Sequence, residues 1–343
     1  MFSRSSSPGR TVSDRRAKPA ISQGREAFTL VEVLVGCAVL FLLLVMLFSV
    51  MSQTTKTVRR ASAQLDAFQT ARTAFDTISQ KLSAATMNTY WDYYDATNGK
   101  RTTNNATTFQ PARYGRASDL QFLVQTNGAY GQSLFFAVPE SVSADATKDQ
   151  TQGLLNGLGY YVQFGSDDNY RPSALIGQKR YRYRLMQALQ PTEGFQAFYN
   201  TNWTDSLTNY AWPLADNVIA LIVWPRRSIV EDPAGTNISP NYIYDSRTNL
   251  PASASSTPSI QYAQMPPTVQ LTLVVIDEPS AVRQTPDANE PTAIKTALAG
   301  KFTDVTQYQN DLNKLQTALT AAHINYRTLN STVTLRESKW SAQ

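Results

Sequence analysis

Between Phe28 and Met51 the chain holds one formally charged side chain, Glu32, and from Val33 to Met51 it holds none. About 20 residues rising 1.5 Å each match a hydrocarbon layer of about 30 Å, so this run can cross a bilayer as a single helix. A carboxylate at the head of such a helix is costly and calls for a positive partner or for headgroup water. Any fold for this chain must therefore set a membrane-competent helix at its amino-terminal side and build a separate body from the residues beyond Met51.

The residues before Phe28 include Arg4, Arg10, Arg15, Arg16, Lys18 and Arg25 against Asp14 and Glu26, a net charge of +4. By the positive-inside rule that end stays cytoplasmic and everything beyond Met51 is exported. The whole chain carries +5, which leaves +1 for residues 28–343. The basic pI is thus a property of the leader and gives no reason to expect nucleic acid as a partner. Ser5 to Gly9 are small and polar, the composition of an unfolded tail. Cys37 is the single cysteine and lies in the apolar run, so the exported part has no disulfide and must rest on core burial.

Two other targeting readings compete. Leu34-Val35-Gly36-Cys37 matches a lipobox, but a lipoprotein signal places its apolar core before the cysteine, and here most of it comes after. Arg15-Arg16 has the form of a twin-arginine pair, yet Ala17-Lys18-Pro19 comes next in place of an apolar consensus.

Residues 28–87 contain no proline, and Gly36 is their one glycine. Val58, Ala61, Leu65, Phe68, Phe75, Ile78 and Leu82 recur at three-four spacing, with Arg72 in the one gap. This predicts one helix of ~60 residues, a membrane half over 28–51 and an amphipathic half over 52–87 that packs on a globular head. From Asn88 the composition turns to Thr, Asn, Tyr and Gly, and both Tyr90-Trp91-Asp92-Tyr93-Tyr94 and Asn98 to Thr108 read as irregular loop. Strands are predicted at Leu120 to Val124, Leu134 to Val138, Gly159 to Phe164, Arg180 to Leu189, Val218 to Trp224, Val269 to Ile276 and Tyr326 to Arg336. Residues 225–267 read as a long excursion beside the sheet, and Val305, Tyr308, Leu312, Leu315 and Leu319 mark a second amphipathic helix over 303–323. The expected class is α+β: one long amino-terminal helix against a mostly antiparallel sheet in a head over 88–343.

A basic leader, Ala27, and then Phe28-Thr29-Leu30-Val31-Glu32 resembles the class III signal of type IV pilins and type II secretion pseudopilins. The resemblance implies that a prepilin peptidase cuts between Ala27 and Phe28, removes residues 1–27 and methylates the amine of Phe28. Glu32 then becomes the fifth residue of the mature chain, one helical turn from the freed amine of its own or a neighbouring subunit. The family norm before the cut is Gly; this chain has Ala27, with Gly24 three residues back. Further on, Leu214-Ala215-Asp216-Asn217-Val218-Ile219-Ala220-Leu221 is similar to the J-type minor pseudopilins. So is Met265-Pro266-Pro267-Thr268-Val269-Gln270-Leu271 with Val274-Val275-Ile276-Asp277-Glu278. Together with Lys339-Trp340-Ser341 they resemble the Verru_Chthon cassette protein C group.

What the resemblance implies is a pilin-like fold and a non-enzymatic minor subunit of a type II secretion-like pseudopilus. Such a subunit is single-pass in the bacterial inner membrane, with its head in the periplasm until assembly. Its partners are the peptidase, other pseudopilins or pilins, and an inner-membrane assembly platform. Two alternatives stay open: a minor type IV pilin that primes a pilus or displays an adhesive head, and a periplasmic enzyme or binding domain on an uncleaved tether.

Catalysis finds little support in the residues. His323 is the sole histidine and falls near the end of the predicted carboxy-terminal helix, a surface position. With one Cys and one His, a zinc site would need mostly carboxylates. No phosphate loop or nucleophile elbow occurs. Asp277-Glu278 are adjacent in an extended chain, where side chains point apart, so turn chemistry or a subunit contact is expected of them. No cofactor is expected, with calcium the one candidate: Asp167, Asp168 and Asn169 are closely spaced oxygen ligands, although an ordinary turn needs the same residues. In Lys179-Arg180-Tyr181-Arg182-Tyr183-Arg184 a period of two predicts a tyrosine face and a solvated arginine face.

Overall fold

The structure is a computed structural model that describes residues 29–97, 99–148, 151–172, 179–194, 203–248 and 260–340, the side chains at 59, 60, 63, 64, 206 and 208 excepted. The chain divides into two units, with the boundary between Thr57 and Val58.

Helix α1 spans Leu30–Ser83. From Val33 to Met51 it carries no charged side chain, and within Leu30–Val58 an 18-residue window reaches a mean hydropathy of 3.0, with none of that window buried. Among the described residues one helix is long and apolar enough to cross a membrane. The hydroxyls of Thr54 and Thr55 donate to the carbonyls of Val50 and Met51, each at 2.9 Å, so these polar side chains satisfy themselves on the helix.

In the second unit the predicted apolar stripe divides. Phe68, Phe75, Ile78 and Leu82 are buried, whereas Val58, Ala61 and Leu65 are exposed. The gap at Arg72 is filled by Ala71 and Ala74, both buried, while Arg72 stays outside and pairs with Asp76 at 3.0 Å. The helix stops at Ser83, short of Met87, because Thr86 N–H leaves the helical pattern and donates to Ala137 O at 2.9 Å.

The rest of this unit holds eleven named strands: β1 (Tyr90–Tyr94), β2 (Arg113–Ala117), β3 (Leu123–Thr126), β4 (Gln132–Pro139), β5 (Leu155–Ser166), β6 (Tyr181–Gln190), β7 (Ala211–Asp216), β8 (Val218–Arg226), β9 (Tyr244–Asp245), β10 (Thr268–Ile276) and β11 (Tyr326–Thr334). Among the described residues four helices accompany them: α2 (Trp203–Ser206), α3 (Glu278–Gln284), α4 (Thr292–Leu298) and α5 (Tyr308–Ala321). Every named pairing is antiparallel. The expected α+β class holds, but the strands form three sheets rather than one: a ribbon β1-β2, a six-stranded sheet β7-β6-β5-β4-β3-β9 and a three-stranded sheet β11-β10-β8. Tyr90–Tyr94, expected as loop, is the strand that pairs with β2, with Tyr93 opposite Tyr114. Residues 249–259 of the expected excursion lie outside the described residues; the described part contains β9.

The three-stranded sheet is covered on both faces, which is why β8 and β10 read as nearly continuous apolar runs. Val269, Leu271, Leu273 and Val275 join one core with Phe68, Ile78 and Leu82 of α1 and with Phe122 and Phe136. Ile219, Ile222, Val274 and Ile276 face a second core made with Ile294, Leu298, Leu315 and Leu319 of α4 and α5. At roughly 1.5–3 kcal/mol for each fully buried aliphatic side chain, these layers are the main source of stability in a chain without disulfides.

Gly131 joins the two larger sheets through a parallel bridge to Leu221. Its φ is +91°, and a Cβ there would sit 2.2 Å from Leu221 O, so no other residue fits.

Candidate functional site

Helix α1 opens with Thr29 as the residue before its first turn and Glu32 as the third residue within it. Thr29 N–H donates to Glu32 Oε2 at 3.0 Å, and Glu32 N–H donates back to Thr29 Oγ1 at 3.3 Å. The Thr29 hydroxyl also donates to Glu32 Oε2, at 3.0 Å. This is a capping box, T-x-x-E, in which two amide groups with no helical acceptor are satisfied reciprocally. It was legible in Thr29-Leu30-Val31-Glu32, although the apolar context draws attention to the charge of Glu32 rather than to its cap. The box occupies Oε2, and no contact to Oε1 occurs among the described residues. Ala27 and Phe28, the two residues of the expected cleavage site, lie outside the described residues. Cys37, on the same helix, is exposed.

In the head, the arginine run departs from expectation. Arg182 and Arg184 are buried, as is Tyr183 on the opposite side of β6. Period-two alternation holds, but both faces of this strand are covered. Arg182 Nη2 donates to Glu278 Oε1 at 2.6 Å and Nη1 to Thr285 Oγ1 at 3.1 Å. Arg184 Nε lies 3.3 Å from Asp216 Oδ1, and its Nη1 donates to Ser166 O at 2.9 Å. Arg180, half-exposed, also reaches Glu278 Oε1 at 3.1 Å. Burial pushes the Arg184 guanidinium down from its ordinary value, and Asp216 opposes that fall.

Asp277 and Glu278 take separate roles at the end of β10. Asp277 caps α3 by accepting from Ser280 N–H at 2.9 Å, the turn chemistry expected of it. Glu278 turns instead toward the arginines and accepts from Asn217 Nδ2 at 2.7 Å. Asn217, at φ +64°, is the one residue between β7 and β8, so it turns the chain from one sheet to the other and binds the acid that links them. The surrounding cleft, about 640 Å³, is lined by Asp66, Thr70, Arg180, Arg184, Asp216 and Glu278 among others. Its described lining contains no histidine, cysteine or serine. The arrangement supports interlocking ion pairs between two sheets.

The calcium candidates lie at the end of β5 and in the turn after it. Asp167 is buried and engaged by Arg171 at 3.2 Å and by Arg180 at 3.9 Å. Asp168 opens a short 3₁₀ turn with Asn169 and Tyr170. No group of three or more acidic, histidine or cysteine side chains placed to hold a metal occurs among the described residues. Asp167 is thus engaged by guanidinium groups rather than by a metal cation.

His323 ends α5. It is exposed, with φ +55°; its N–H donates to Thr320 O at 3.0 Å and Ile324 N–H to Leu319 O at 2.9 Å. This pair of bonds is a Schellman motif, in which the histidine serves through its backbone.

No family model, curated protein or solved structure matches this chain.

Proposed function

We propose that the chain is a membrane-anchored, non-enzymatic subunit of a secretion-type pseudopilus, resembling the minor pseudopilins. The observation that carries this reading is the junction of Glu32 with an uncharged apolar run, Val33 to Met51, inside the helical span Leu30–Val58, all of whose best spanning window is exposed. A helix that is apolar all round needs either lipid or other helices around it. Before assembly the bilayer supplies that surrounding, with the basic leader in the cytoplasm and the head in the periplasm. After a prepilin peptidase cuts between Ala27 and Phe28, neighbouring helices of a filament replace the lipid.

Glu32 sets register in this scheme. In a low-dielectric core its carboxylate requires a positive partner, and the methylated amine of Phe28 supplies one on the same or an adjacent subunit. The capping box leaves Oε1 available for it. The head adds a cysteine-free body with two apolar cores. Assembly, rather than bond-making chemistry, is the activity.

Mass spectrometry of the protein from its native membrane tests this directly. The expected amino terminus is an N-methylated Phe28; an intact Met1 in the membrane-inserted protein overturns processing and with it the filament reading.

A further inference from the structure

Among the described residues, the head has one long strand edge with no backbone partner. β11 pairs with β10 in unbroken register from Ile276↔Tyr326 to Thr268↔Thr334. At the two ends of this ladder, Asp277 N–H donates to Asn325 O at 3.0 Å and Leu335 N–H to Pro267 O at 3.1 Å. In an antiparallel ladder the backbone groups of successive residues point alternately toward and away from the partner. The odd-numbered positions from Asn325 to Leu335 therefore face β10. Tyr326, Thr328, Asn330, Thr332 and Thr334 turn their N–H and C=O groups outward, and among the described residues no backbone hydrogen bond reaches them on that side.

The other edges of the two larger sheets are interrupted or short. β7 carries Pro213 and a register shift opposite Leu185–Met186. The outer side of β8 meets Gly131 at Leu221 and receives Gln132 Oε1 on Val223 N–H at 3.0 Å. β9 has two residues. β11 has nine, with no proline, no glycine, no bulge and one charge, Arg327. Natural edges of this length are usually blunted by such features, and an unblunted one is a template for another strand.

We infer that this edge pairs with β11 of a second copy of the chain, antiparallel about a two-fold axis through Asn330. The strand is self-complementary in that register. Thr328 falls opposite Thr332 of the second copy, Tyr326 opposite its Thr334, and Arg327 opposite its Val333, so no like charges meet. Facing threonines favour a pair of this kind. The two-fold joins the three-stranded sheets into one of six strands, an isologous contact. A seam of nine residues, about 30 Å long at ~3.4 Å per residue, falls below the roughly 1,200 Å² of stable interfaces. Association in free solution is accordingly weak, and confinement of both copies to one bilayer strengthens it by raising their local concentration. The inference rests on bilayer anchoring and is independent of filament assembly.

Disulfide trapping tests it on the full-length chain in lipid vesicles, with Cys37→Ala to remove the native thiol. Directly facing Asn330 residues stand at a Cα separation compatible with a disulfide, so Asn330→Cys should yield about tenfold more cross-linked dimer than a control at exposed Ala96→Cys. Thr332→Pro removes an outward N–H that bonds nothing among the described residues and should abolish the dimer while thermal unfolding stays cooperative. Thr332→Lys, which adds an edge charge without touching the backbone, should do the same and serves if the proline variant fails to fold. Dimer yield at the control level, or a yield unchanged by both Thr332 variants, overturns the inference. So does cross-linking of Asn330→Cys to a different protein in native membranes in place of itself.

Discussion

Arg182 Nη2 stands 2.6 Å from Glu278 Oε1, and this contact fastens the start of β6 in one sheet to the α3 start, just past β10 in the other. Asn217 completes the fastening, since its side chain binds the second oxygen of Glu278 while its backbone turns β7 into β8. The two sheets therefore share an ionic joint as well as the apolar layers.

Removing one partner exposes the cost of the joint. Glu278→Ala leaves Arg182 buried with the neutral acceptors Thr285 Oγ1 and Tyr181 O. Breaking a fully buried pair costs about 3–5 kcal/mol; Glu278 is partly exposed, so a loss of about 2–3 kcal/mol is expected. The double variant Arg182→Met with Glu278→Leu replaces the pair by apolar volume and should recover most of that loss. Thermal unfolding of the detergent-solubilised chain measures both. Equal destabilisation in the double and single variants would show that the ion pair itself, rather than the stranded charge, sets the stability.

The same joint shows where the sequence was readable and where it was not. The apolar helix, the second half of its stripe from Phe68, strands β4, β8 and β10, and α5 follow from periodicity alone, because each buries a regular face. Arg182 and Arg184 do not, because period two assigns them a face but cannot say that α3 and the β5–β6 turn cover it. Tyr90–Tyr94 reads as loop because its aromatic residues show no alternation of apolar and polar, and its strand character comes from pairing with distant Arg113–Ala117. The division into separate sheets depends on Asn217 and Gly131, two single positions whose backbone geometry no propensity reveals. At the amino terminus the charge of Glu32 was legible, and the cap it forms with Thr29 was written in the same four residues.

Acid should weaken the head through Glu193. Its carboxylate accepts from Ser143 Oγ at 2.6 Å and from Ala144 N–H at 2.9 Å. The Ser143 hydroxyl first, and then the Ala144 amide, hold its pKa down at about 2, against 4.5 for a free glutamate. A depressed folded-state pKa stabilises the fold above the unfolded value, and that contribution fades as pH falls from 4.5 toward about 2. Glu193→Gln should therefore flatten the melting temperature across this window and leave its slope above pH 5 unchanged. Identical acid slopes in the two proteins would show that these contacts do not hold the carboxylate in solution.

The last expectation separates the two roles of Glu32. Loss of a helix cap costs about 0.5–2 kcal/mol, too little to unmake a helix of 54 residues. If capping were the whole role, Thr29→Ala and Glu32→Ala would behave alike, since each breaks the box. If Glu32 meets a positive amino terminus, its removal takes away the charge that fixes register, whereas Thr29→Ala leaves that charge in place. Both variants should fractionate with membranes as the native protein does. Only Glu32→Ala should fail to enter assemblies with its partner subunits, as measured by co-purification after the amino terminus of each variant has been confirmed by mass. Equal incorporation of the two variants, at any level, would reduce Glu32 to a cap and remove the basis for its pairing with Phe28.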